Sequence, residues 1–165
     1  MVAFNAEDLR TFTAELFTRD TFDEMLVREA EFTTYCSFSI DGRVNGEWYS
    51  DEELEEDRVE DYASWQTLRP VCFGLIRGKK TPSAFKIVFR LAPEQTEKFM
   101  KEETPGIAGT ELGGLFLNIR FEKGKLVCVS MASLNSFHTD HTVEHAWDSR
   151  VERFFSEHGI AVSRE

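Results

Sequence analysis

Residues 115–134 read LFLNIRFEKGKLVCVSMASL, and the alternation within this run decides how the rest of the chain is read. Leu115, Leu117, Ile119 and Phe121 fall on one side of an extended chain, and Phe116, Asn118, Arg120 and Glu122 fall on the other, because successive strand side chains point to opposite faces. Lys123-Gly124 supplies a turn in which glycine accepts a positive φ without steric cost, and residues 126–132 return along a second arm. The pattern predicts a β-hairpin. Its reverse face carries Phe116, Val127, Val129 and Met131, joined by Val88 from another run, so both faces of the sheet need cover from helices, a pocket or a partner.

Working outward, Val143, Ala146, Trp147, Val151, Phe154 and Phe155 recur at helical spacing and predict a last helix over 141–158, stopped by Gly159. Upstream, Phe85, Ile87, Phe89 and Leu91 alternate with Lys86, Val88 and Arg90 along a strand. Pro93 at a first helical position opens a helix carrying Phe99 and Met100, and the four glycines and one proline of residues 104–114 predict a flexible connection. Leu68, Val71, Cys72, Leu75 and Ile76 predict a core-facing helix with Pro70 in its first turn and Gly78 as its stop.

At the amino end, Asn5 is the expected cap of a first helix, with Phe4 and Leu9 as a hydrophobic staple and Leu9, Phe12, Leu16 and Phe17 as its buried stripe. Thr21 with Glu24 predicts a short second helix carrying Phe22, Met25 and Leu26 and ending before Glu29. Residues 29–40 alternate as one strand, and a three-residue loop at Asp41-Gly42 would pair Ile40 with Val44 and Cys36 with Trp48. Ser50 and Glu53 form another capping box. The expectation is a single α+β domain over residues 1–165, with a mainly antiparallel sheet of about five strands and helices packed on it. A helix followed by a hairpin comes twice, after Phe4-Asn5-Ala6-Glu7 and after Leu91-Ala92-Pro93-Glu94, with Phe12 answering Phe99, as a duplicated β-α-β-β unit would give.

A formal net charge of −11 disfavours nucleic acid and anionic membrane surfaces as partners, since such binding relies on Lys and Arg displacing counterions. Cys36, Cys72 and Cys128 form no metal-binding or disulfide pattern, and they fall in predicted regular elements where burial makes thiols inert. No run approaches the ~20 apolar residues that span a bilayer. Residues 1–9 lack a basic region followed by an apolar stretch. A cytoplasmic, intracellular location is expected.

Charge is also segregated along the chain. Residues 47–61 hold nine carboxylates against one arginine, a net of −8, and residues 62–93 hold six basic residues and no acid, a net of +6. The two segments either face each other or form separate surface patches. Leu68-Arg69-Pro70, Gly78-Lys79-Lys80-Thr81-Pro82, Phe85-Lys86-Ile87-Val88-Phe89, Leu115-Phe116-Leu117-Asn118 and Gly124-Lys125-Leu126 together resemble a family of short bacterial proteins known only as a domain of unknown function. The resemblance extends over nearly the whole chain and implies no activity, cofactor or catalytic residue.

Two local patterns are candidates for chemistry. His141, Glu144 and His145 form H-x-x-E-H, which on a helix sets two histidines on one face where zinc could bind. The readings are surface histidines capped by Asp140, adventitious metal, or a metal-dependent hydrolase. The last lacks a downstream carboxylate on another helix, since Glu152 and Glu157 share the same one. The second pattern is a cationic patch of Lys79, Lys80, Lys86 and Arg90, suited to a small anionic ligand or an acidic protein surface. Gly78-Lys79-Lys80-Thr81 lacks the earlier glycine and preceding strand of a phosphate-binding loop, and the glycines of 104–114 lack a dinucleotide spacing. The reading is a binding or protein-interaction module rather than an enzyme, with no cofactor implied and the hydrolase as the alternative.

Overall fold

The computed structural model describes residues 1–56, 59–135 and 141–165. Among them the chain forms strand β1 (Val2–Ala6), helix α1 (Leu9–Phe17), β2 (Leu26–Thr33), β3 (Ser37–Asp41), α2 (Asp51–Glu56), α3 (Trp65–Ile76), β4 (Ala84–Arg90), α4 (Pro93–Glu103), β5 (Leu112–Glu122), β6 (Lys125–Leu134), α5 (Thr142–Glu157) and β7 (Val162–Arg164). The strands make one antiparallel sheet in the order β3-β2-β4-β5-β6-β1-β7. The α+β class holds, with seven strands among the described residues where about five were expected.

The central hairpin folds as its alternation requires. Phe121 pairs with Leu126 and Glu122 with Lys125, leaving a two-residue turn in which Lys123 (φ 52°) and Gly124 (φ 75°) both adopt positive φ. Leu115, Leu117, Ile119 and Phe121 are buried. They share a face with Phe85, Ile87 and Phe89 of β4, because β4 and β5 pair in phase. Every buried apolar helix residue joins the cluster on this face. Phe17 meets Phe85 edge-on at 5.3 Å, Trp65 meets Phe89 at 5.3 Å, and Phe155 meets Phe4 at 5.7 Å. The opposite face is not packed in this way: Lys86, Arg90, Phe116, Asn118, Val127 and Val129 are half-buried, and Arg120 and Met131 are exposed.

The additional strands are β1 and β7, which pair with each other at one edge of the sheet, and in β1 and at the start of β2 pairing across the sheet overrides a local helix signal. Phe4 is not a staple residue but the centre of β1, paired with Cys128 and fully buried, so the cap of α1 moves to Asp8, whose carboxylate accepts from the Thr11 amide at 3.2 Å. The expected helix at Thr21 does not form. The Thr21 hydroxyl is committed to the Glu15 carboxylate and Leu26 already starts β2, pairing with Arg90. The single strand expected over 29–40 is a hairpin. It reverses at residues 34–36, where the Thr34 amide donates to the Cys36 carbonyl at 2.9 Å, and it pairs Phe32 with Phe38 and Ala30 with Ile40. An even-numbered separation keeps the apolar parity on both arms, so the alternation alone does not reveal the reversal.

Val44 and Trp48 consequently pair with nothing in β3, and Trp48 is 83% exposed. Gly42 is required for a different reason from a turn. A Cβ there would lie 1.7 Å from the Val27 carbonyl oxygen, because the chain leaving β3 crosses closely over β2, where the Gly42 amide donates to Arg28 at 3.0 Å. Pro70 is the sixth residue of α3, beyond the first turn, because the helix starts at Trp65 with Ser64 as its cap. Element order repeats as β1-α1-β2-β3 and β4-α4-β5-β6, but β4 sits between β2 and β5 whereas β1 sits between β6 and β7, so the sheet pairing does not repeat. No helix among the described residues is long and apolar enough to cross a membrane.

Candidate anion site

Arg90 ends β4 on the open face, directly across from Phe116 of β5. Its guanidinium carbon lies 5.5 Å from the Tyr62 ring centroid and 6.0 Å from that of Phe116, and its Nη2 donates to the Gly113 carbonyl at 3.3 Å. Arg28 stacks on the same Phe116 ring at 5.4 Å. No carboxylate among the described residues forms an ion pair with Arg90. Gly114, at φ +153°, makes this packing possible: a Cβ would lie 3.0 Å from two Phe116 ring carbons and 3.2 Å from Arg90 Nε.

Beside Arg90 opens a cavity of about 630 Å³ between α4 and residues 105–114. Its walls include Pro93, Met100, Ile107 and Leu112, with Thr96 and Lys101 among its polar groups. Lys101 already pairs with Glu97 at 3.2 Å, and the Thr96 hydroxyl donates to the Leu91 and Ala92 carbonyls, so Arg90 is the cation whose hydrogen bonds are least used. A second cavity of about 400 Å³, lined in part by Tyr62, Arg43 and Leu54, adjoins the other side of Arg90. Gly109, Gly113 and Gly114 therefore wall a cavity, where the sequence predicted only a flexible connection.

The four predicted cationic residues do not converge. Lys86 lies on the same face as Arg90 but four residues away, roughly 13 Å along the strand, and its ammonium pairs with Glu29 at 3.0 Å. Lys79 and Lys80 are exposed in the loop before β4, beyond its other end. Among the described residues the two charged segments form no ion pair with each other either: Arg69 is held by Asp23 at 2.8 Å and Lys86 by Glu29, both outside the acidic run.

His141 and His145 are exposed at the start of α5, with ring centroids 6.3 Å apart, and Glu144 Oε2 lies 2.6 Å from His141 Nδ1. The carboxylate that the motif offers as a base is thus engaged by one of the histidines. Asp140, the expected cap, lies outside the described residues. Among those described, no group of three or more His, Cys, Asp or Glu side chains is arranged to hold a metal ion.

Burial pushes the Cys72 thiol up to about 12 and raises that of Cys128 well above its usual value, so both stay protonated. Cys36 departs from the expected burial: the hairpin reversal leaves it exposed at the tip. Sequence reasoning had no handle on Tyr62 or Asp148. Asp148 is buried in α5, bound by the Ser130 hydroxyl and 3.3 Å from the Met1 amino group. Phe116 was legible as a reverse-face residue, but its part in stacking Arg28 and Arg90 was not.

No curated protein and no solved structure matches the chain. A family model does, over residues 15–163, spanning all of the recurring stretches from Leu68 to Leu126 that carried the resemblance. The chain therefore belongs to the family of unknown function DUF5721.

Proposed function

We propose that the protein is a binding module for a small organic anion, with Arg90 as the group that recognises the charge. The single observation that supports this reading is a half-buried guanidinium with no carboxylate partner among the described residues, stacked on Tyr62 and Phe116 at the edge of a 630 Å³ cavity. A planar guanidinium held by aromatic rings is pre-oriented for a carboxylate or phosphate, so little of its freedom is lost on binding. The cavity volume falls within the range of small-molecule sites, and its apolar walls favour an anion with an apolar body over a bare inorganic ion.

The test is a thermal-shift and calorimetric screen of untagged protein against organic carboxylates and phosphate esters, repeated with Arg90→Gln. Binding by the wild type raises the melting temperature with the logarithm of ligand excess over the dissociation constant. Arg90→Gln is expected to lose the charge-assisted hydrogen bonds and weaken binding roughly 10- to 100-fold, while keeping the unliganded melting temperature close to that of the wild type. Equal binding by both proteins, or no response to any acid in the panel, would refute the assignment.

A further inference from the structure

The cationic loop at Lys79-Lys80 takes no part in that site, and its surroundings carry a separate inference. Arg77, Lys79 and Lys80 follow the end of α3 and form no ion pair among the described residues, although the preceding segment is strongly acidic. The outer face of α3 has an unusual surface for solvent. Val71 is 56% and Phe73 36% exposed, on either side of a strip containing Pro70 and Gly74, where an added Cβ would meet nothing within 4 Å. These two apolar edges frame a floor without long side chains.

The acidic segment has the opposite character. Helix α2 is six residues long, is started by the reciprocal Ser50–Glu53 capping box, and buries none of its side chains. So short a helix gains little from propensity alone and normally relies on packing. Leu54 is 39% exposed, and Trp48, just before it, stands 83% out of the surface. Of the seven large apolar side chains exposed among the described residues, four belong to these two patches, two with the acids and two with the bases.

We infer that the outer face of α3, with Arg77, Lys79 and Lys80, docks the acidic α2 region of a second copy of this chain. Charge complementarity selects that occupant: among the described residues the acids of 47–61 form no ion pair with the bases of 62–93, and each patch brings apolar side chains for the other to cover. Net charge makes the inference sharp, because copies at −11 repel one another as whole molecules. Association driven by apolar contact alone would strengthen as salt screens that repulsion, whereas association driven by opposed patches weakens.

Sedimentation velocity of the full chain, over a range of concentration and from ~0.01 M to ~1 M salt, separates the two, since the screening length falls from about 30 Å to about 3 Å. Reversible association at low salt that dissociates at high salt is expected. Lys79→Glu/Lys80→Glu and, separately, Glu52→Lys/Glu55→Lys should each weaken self-association roughly tenfold or more. Glu53 is left intact because it caps α2. Mixing the two variants should restore a complex, since the first keeps its acidic α2 region and the second its basic loop, and this mixture also controls for misfolding. Trp48 fluorescence should shift to the blue on association. A wild type that stays monomeric throughout, association that grows with salt, or variants that fail to combine would overturn the inference.

Discussion

The two faces of β4 differ by one residue in phase and by almost everything else. Phe85, Ile87 and Phe89 are buried against aromatic side chains from α1 and α3, while Lys86, Val88 and Arg90, between and beside them, line the opposite face, where Lys86 and Arg90 are half-buried and Val88, though buried, stands outside that core cluster. The first face holds the fold together by removing apolar area from water. The second stacks arginines on rings and leaves a guanidinium beside a cavity, an arrangement that stabilises little and can recognise much. Stability and recognition are thus separated across a single sheet.

The most direct way to break this comparison is to truncate adjacent residues. Phe89→Ala should cost about 3–5 kcal/mol in chemical denaturation, because it removes a ring packed against Trp65 and Phe22. Arg90→Gln should change stability by less than about 1 kcal/mol. Similar losses for both would mean that the open face also carries the fold. Gly42→Ala, at the margin where the chain crosses β2, should cost about 1–3 kcal/mol, read from the shift in the denaturation midpoint, since the new Cβ must displace backbone.

Smaller effects sharpen the picture. With an aromatic disulfide reagent, Cys36 should react in the folded state while Cys72 and Cys128 react only after unfolding, as their exposures and raised thiol values require. The least of the effects concerns Asp8, whose carboxyl is held below its usual value by the Thr11 hydroxyl and amide. A lowered folded value means that the stabilisation is present above the ordinary carboxylate range and disappears as pH falls through the lower folded value. Asp8→Ala should therefore lower the melting temperature at neutral pH, with the gap from the wild type closing in acid. A gap independent of pH would remove the ionised cap from the account.

The hairpin at 115–134 and the strand at 84–90 were legible because an apolar stripe of period two admits one burial solution, and the buried stripe of α5 was legible for the same reason at helical spacing. Phe4 and Thr21 misled because a capping residue is a local signal worth about 1 kcal/mol, which pairing of β1 with β6 and of β2 with β4 outweighs. Of the candidate site, Arg90 could be singled out as a cation on an acidic chain. That it stands apart from Lys79, Lys80 and Lys86 could not.

The sequence by itself determined which side chains must leave water, since alternation and helical spacing are properties of the chain alone. Only the tertiary structure decided where the 29–40 run reverses, which strands become neighbours and which charges meet. Those outcomes depend on contacts between residues far apart in the chain, as when Tyr62, Arg90 and Gly113 come together at one corner of the sheet.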